Sequence, residues 1–150
     1  MKIKQNNIEQ PLGRILSFAG RNFLHLLNTK LENLDIERNF YALLLVEQHN
    51  GEITQQDLAE KLSTDKVSIV RTINYLSKNE YIKRTRNIND KRKYSLEITD
   101  KAKKSIPTIK QALNESTDIA FKSLNNYQIS EFYKTLNVIK NNLKKHNNTI

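Results

Sequence analysis

The fold turns on residues 51–99, GEITQQDLAEKLSTDKVSIVRTINYLSKNEYIKRTRNINDKRKYSLEIT. Asn50-Gly51 stops whatever helix precedes it, and Glu52-Ile53 is expected to form a minimal strand. Thr54 followed three residues later by Asp57 has the form of a capping box, in which each side chain satisfies the other's free amide, so a short helix should run to about Leu62. Ser63, Thr64 and Asp65 are all good N-cap residues. Behind them Ile69, Ile73 and Leu76 recur at steps of four and three, which predicts a second helix to about Lys78. Tyr81 to Arg86 alternates weakly, Asn87 to Asp90 is turn-like, and Lys93 to Thr99 alternates with Tyr94, Leu96 and Ile98 on one side. That pattern predicts a hairpin with a polar, basic tip.

Working outward, apolar residues recur at helical spacing from Leu12 to Leu34 (Leu12, Ile15, Leu16, Ala19, Phe23, Leu26, Leu27, Leu31, Leu34), predicting a long amphipathic helix whose stripe needs a cover. A second helix, dense with Phe40, Leu43, Leu44, Leu45 and Val46, should run from about Ile36 to Gln48 as buried core. After Thr99 the pattern is helical to about Leu124, with Pro107 expected to kink it because proline lacks an amide hydrogen and crowds the preceding turn. Asn125-Asn126 breaks and caps. Ile129, Phe132, Leu136, Ile139 and Leu143 then define a last helix with a heptad-like seam, and the tail from Lys144 should fray. The predicted fold class is mainly α (α+β), in the order helix, helix, strand, helix, helix, strand, strand, helix, helix.

Composition narrows the function. At 150 residues the chain fits one domain. No run is apolar enough to cross a bilayer, and Met1 to Gln10 is too polar for a signal peptide, so a cytoplasmic protein without a membrane partner is expected. The lack of cysteine excludes disulfides, thiolate metal sites and thiol chemistry. His25, His49 and His146 are scattered, no glycine-rich phosphate loop is present, and no nucleophile set can be assembled. Neither an enzyme nor a metal or cofactor site is expected. The formal charge of +9 favours a polyanionic partner. Residues 61–93 hold ten Lys or Arg against Asp65, Glu80 and Asp90, so most of the excess falls on the deciding stretch.

A short bracing helix, a turn, a second helix and a basic hairpin make a winged helix-turn-helix, in which the second helix enters the DNA major groove. With Ile69, Ile73 and Leu76 facing inward, the open face presents Lys66, Val67, Val70, Arg71 and Asn74. Arg and Lys donate to guanine, Asn pairs with adenine, and Val touches a thymine methyl. Ser68 and Tyr75 flank that face within expected reach of phosphates, and Thr54 and Gln55 at the preceding helix N-terminus are further expected backbone contacts. The wing concentrates Lys83, Arg84, Arg86, Lys91, Arg92 and Lys93 for phosphates or the minor groove. Asp90, two residues before Arg92, is placed to orient that guanidinium by a hydrogen-bonded pair.

These residues resemble the MarR family of winged helix-turn-helix transcription regulators. The resemblance rests on Gly51-Glu52-Ile53-Thr54, Asp57 to Leu62, Asp65 to Arg71 with Leu76, Arg84, Asp90-Lys91-Arg92 in place of the family's Asp-x-Arg, and Leu96 to Thr99. It implies a homodimer whose terminal helices, residues 11–34 and 100–146, interlock and present two winged parts, residues 36–99, to a pseudo-palindromic operator. It further implies that Arg92 reaches the minor groove with Asp90 as its orienting partner, that the protein represses transcription, and that a small aromatic or anionic effector releases the DNA. Phe18, Phe23 and Phe40 are the aromatic residues expected near such an effector pocket. Glu80 and Ala102 depart from the family pattern, which often has Gly at both places. The competing reading is a winged-helix module that binds protein partners and does not read DNA. Salt separates the two, since neutralising phosphates releases counterions and makes affinity fall steeply with ionic strength.

Overall fold

A computed structural model describes residues 11–147. Six helices and two strands follow one another as α1 (Leu12–Lys30), α2 (Phe40–Gln48), α3 (Gln55–Leu62), α4 (Lys66–Lys78), β1 (Ile82–Arg86), β2 (Tyr94–Ile98), α5 (Asp100–Ala120) and α6 (Asn126–Asn147). The chain divides after Ser116 into two compact units.

The first unit is built around one apolar cluster to which nearly every element contributes. It includes Leu27 and Leu31, Leu43 and Val46 of α2, Leu58 of α3, Ile69, Ile73 and Leu76 of α4, Tyr81, Ile82, Leu96 and Ile98 around the hairpin, and Ala102, Ile106 and Ile109 of α5. Each fully buried Leu or Ile contributes about 1.5–3 kcal/mol against roughly 1 kcal/mol for a helix cap, so burial holds the elements together and the caps set where they begin. The strands are antiparallel, with Ile82 opposite Ile98 and Arg86 opposite Tyr94.

Three expectations are corrected. Glu52-Ile53 is not a strand, and the sheet has two strands, not three. The amides of Glu52 and Ile53 turn back to the His49 carbonyl at the end of α2. Only the Gly51 amide and the Ile53 carbonyl remain to pair with Leu96, at 2.9 Å each, which anchors β2 without extending a ladder. Secondly, α1 ends at Lys30 and α2 begins at Phe40, so the stretch between them is a string of turns. Leu31 and Ile36 stay buried there, and the Leu34 amide donates to Leu31 and the Ile36 amide to Leu34. Turns that keep the same residues inward mimic helical periodicity. Thirdly, Lys144 to Asn147 are helical rather than frayed, and residues 148–150 lie outside the described residues.

α5 continues through Pro107, which stands exposed on it. In the second unit α6 buries no residue, and Phe121, Phe132 and Tyr133 meet edge to face with centroids 5.5–5.8 Å apart.

Candidate nucleic-acid interface

The helix-turn-helix is set by two acidic caps. Thr54 begins α3: its amide and hydroxyl donate to Asp57 Oδ2 at 2.9 and 2.7 Å, and its Oγ1 accepts from the Asp57 amide at 3.2 Å. Ser63 closes α3 in the left-handed conformation, at φ 50°, and the Thr64 amide returns to Ala59. Two residues later Asp65 begins α4, with its Oδ1 accepting from the amides of Val67 and Ser68 at 2.8 Å and its Oδ2 from the Ser68 hydroxyl at 2.7 Å. Hydrogen bonds hold both carboxyls below the usual carboxylate range, chiefly from Thr54 for Asp57 and from Ser68 for Asp65.

With that start fixed, the inward face of α4 follows from its spacing. Ile69, Ile73 and Leu76 are 1%, 0% and 0% exposed, whereas Lys66, Val67, Arg71 and Asn74 are exposed and Val70 is partly so. The open face therefore carries two cations, one amide and two small apolar side chains, a set suited to reading base edges. Ser68 is committed to the Asp65 cap. The Tyr75 phenol is pushed up by burial and by the carboxylates of Glu37 and Asp35. Thr54 spends its amide and hydroxyl on Asp57. Gln55 lines a cavity of about 310 Å³ with Arg84, Tyr94, Ser95 and Leu96, between the start of α3 and the wing.

The wing holds its cations in defined places. Lys83 pairs with Glu97 across the strands at 3.5 Å. The Arg86 guanidinium lies 4.5 Å from the centre of the Tyr94 ring and donates to the Lys91 carbonyl at 3.2 Å. Asp90 Oδ1 accepts from the Arg92 amide at 3.1 Å and from Arg92 Nε at 3.2 Å, the pairing expected from their spacing. These bonds, the amide first, hold the Asp90 carboxyl below its ordinary range. The Arg92 side chain is 92% exposed. Ion pairs so open to water add about 0–1 kcal/mol to stability, so this one orients a cation rather than holding the fold.

Sequence reasoning missed part of the wing. The alternation puts Tyr94 on one side with Leu96 and Ile98, but those two are buried while Tyr94 is exposed under Arg86, and Ser95 is the buried neighbour at 0% exposure. Ser95 turns in because it shares a buried polar cluster with Asn87 and the Glu52 carbonyl. An asparagine followed by Asn89 and Asp90 in a turn was the available signal, since Asn side chains bond amides two and three residues on.

The aromatic residues expected around an effector are dispersed in burial. Phe40 is core, Phe23 packs against the core, and Phe18 is 62% exposed. Among the described residues no three His, Asp or Glu side chains gather to hold a metal ion, and no helix is long and apolar enough to cross a membrane.

A capped bracing helix, a tight turn, a helix with one buried and one open face, and a basic hairpin define a winged helix-turn-helix, a DNA-binding class of fold. Residues 37–94, from the turn before α2 to the start of β2, match the model of the MarR family. The chain is 25% identical over 131 residues to the HTH-type transcriptional regulator BilQ of Clostridioides difficile, spanning 87% of this chain and 88% of that one. A MarR transcriptional regulator of Methanosarcina mazei, known from its crystal structure, superposes with a TM-score of 0.78 at 29% identity, over 89% of this chain and 96% of its own. CouR of Rhodococcus jostii, crystallised with p-coumaroyl-CoA, shares the fold at a TM-score of 0.78 and 20% identity, over 90% and 95% of the two chains. The match over residues 37–94 and these relatives support a MarR-family transcription regulator, and members of that family are not enzymes.

Proposed function

We propose that this DNA-binding regulator acts as a homodimer on a pseudo-palindromic operator, with one α4 in each of two successive major grooves, and that it represses transcription. The observation that carries the reading is the open face of α4: Lys66, Val67, Arg71 and Asn74 stand exposed on a helix whose other face is sealed into the core. Val70 completes that face, while Arg84, Arg86, Lys91 and Arg92 serve the flanking phosphates and minor groove. Residues 36–99 form the part that meets DNA. Residues 11–34 and 100–146 supply the dimer contacts, as the exposed Leu12, Ile15 and Phe18 of α1 and the exposed Phe132, Tyr133, Val138 and Leu143 of α6 support.

Ser68, Tyr75, Thr54 and Gln55 take the supporting role, the first and third through the caps that aim α4 and α3. Release by a small aromatic or anionic effector completes the reading, and CouR, crystallised with an aromatic acyl-CoA, is the neighbour that motivates it. Footprinting on DNA upstream of the protein's own coding region is the direct test. Two protected half-sites about 10 base pairs apart, with affinity falling steeply with salt, are expected. Protection that is absent, or binding indifferent to salt, would overturn the proposal.

A further inference from the structure

We propose that Asn87 is the positioning residue of the wing: a buried amide that fixes the loop carrying Arg92 and so presets that guanidinium for DNA. The inference rests on the DNA-binding reading above and assigns a part to a residue with no charge and almost no exposure.

Asn87 is 7% exposed, and its side chain uses its whole hydrogen-bonding capacity. Nδ2 donates to the Glu52 carbonyl at 3.0 Å and to Ser95 Oγ, while Oδ1 accepts from the amides of Asn89 and Asp90 at 2.9 Å each. Only the oxygen can receive two amide N–H groups, so the network itself fixes which way the amide points. Two of these bonds reach inward, one to the turn that ends α2 and one to β2. The other two reach outward along the loop. The Asn87 amide adds a bond to the Lys93 carbonyl at 3.0 Å, and the Lys93 amide closes the loop on Asp90 at 2.9 Å.

Asp90, placed by those bonds, accepts from Arg92 Nε at 3.2 Å. The chain of contacts thus runs from the Glu52 carbonyl, in the turn after α2, through Asn87 and Asp90 to an exposed cation. Ordering a free arginine costs side-chain entropy, and a loop that holds the guanidinium in advance removes part of that cost from binding. Ser95 supports the amide from the strand, accepting from Asn87 and donating to the Glu52 carbonyl at 3.2 Å.

The test is a double-mutant cycle on the full chain, read by fluorescence anisotropy of a labelled duplex from upstream of its own coding region across a salt series. Asn87→Ala should weaken binding by about tenfold and lower the slope of affinity against salt by about one phosphate per copy, as Arg92→Ala does. The two changes together should do no more than Arg92→Ala alone. Asn50→Ala is the control: Asn50 Oδ1 accepts from the Ile98 amide at 2.8 Å, at the root of the hairpin and away from the tip. It should lower thermal stability and leave the salt slope unchanged. If Asn87→Ala does not fold by circular dichroism, Ser95→Ala carries the test, with a smaller loss in the same direction that also vanishes in the Arg92→Ala background.

Additive losses from Asn87 and Arg92, or an unchanged salt slope in the folded Asn87 or Ser95 variant, overturn the assignment and leave DNA binding intact. Wild-type protein that binds no duplex overturns the DNA-binding reading and this inference with it.

Discussion

Arg71 stands exposed on the open face of α4 and Arg92 stands on the wing, and the two should fail differently when removed. Arg71→Ala should cost about 1–3 kcal/mol of operator binding and relax the preference for one base pair in each half-site. Arg92→Ala should weaken binding to all duplexes alike. A panel of operators with single base-pair changes separates them, and a uniform loss for Arg71→Ala would remove it from the reading face. Glu80 makes a prediction about stability. It lies at φ 60° between α4 and β1, where its Cβ crowds the backbone, and Thr99 donates its hydroxyl to the Glu80 carbonyl. A side chain there costs about 1–2 kcal/mol, and glycine returns about 0.5–1 kcal/mol of that as unfolded-state entropy. Glu80→Gly should therefore stabilise the protein by about 0.5–1 kcal/mol, seen as a higher urea midpoint at unchanged slope. No rise in midpoint would mean that the strain there is no larger than the entropy that glycine costs.

At the level of elements, the caps tie stability to acid. The carboxyls of Asp57, Asp65 and Asp90 are all held below their ordinary range in the folded chain, because hydrogen bonds from Thr54, from Ser68 and from Arg92 respectively favour their charged forms. A carboxyl lowered on folding contributes stability that is complete above its unfolded value and is lost as the pH falls through the native one. The urea midpoint should accordingly be flat from about pH 7 to 5 and fall below about pH 4. Asp65→Asn, which keeps an oxygen for the cap and loses the charge, should flatten that acid limb. A wild-type midpoint that holds down to about pH 2 would show that these bonds do not discriminate the folded state. The elements themselves were largely legible. The start of α3 followed from Thr54-Asp57 and the buried face of α4 from Ile69, Ile73 and Leu76, while the start of α4 was narrowed only to Ser63, Thr64 or Asp65, of which Asp65 is the cap. Illegible were the turns of residues 31–39, which imitate helical periodicity, and the Tyr94-Ser95 inversion, where a buried hydroxyl is held by partners 8 and 43 residues away. Of the candidate site, the exposed set on α4 could be read from local spacing, whereas the internal engagement of Ser68 and Thr54 depended on which of several acceptors each hydroxyl chose.

For the whole molecule the proposed homodimer makes a prediction about mass. Leu12, Ile15 and Phe18 on α1, and Val138 and Leu143 on α6, are exposed apolar side chains. Such side chains mark interaction surfaces, and the proposed homodimer would cover them with a second copy. Light scattering should give twice the chain mass of 17.6 kDa. Ile15→Glu combined with Val138→Glu should shift the protein toward monomer and weaken operator binding together with it, because each half-site is then bound alone. A double variant that stays dimeric, or a monomer that binds the operator as tightly, would count against this arrangement.

The pinned loop at the wing tip also governs the chain's vulnerability. Lys91, Arg92 and Lys93 are consecutive, exposed bonds of the kind trypsin prefers, yet a protease needs several residues of extended backbone, and here Asn87, Asp90 and Lys93 hold them in a closed turn. Cleavage must wait for local opening. Nicking at the tip should therefore clock how often the wing unlatches.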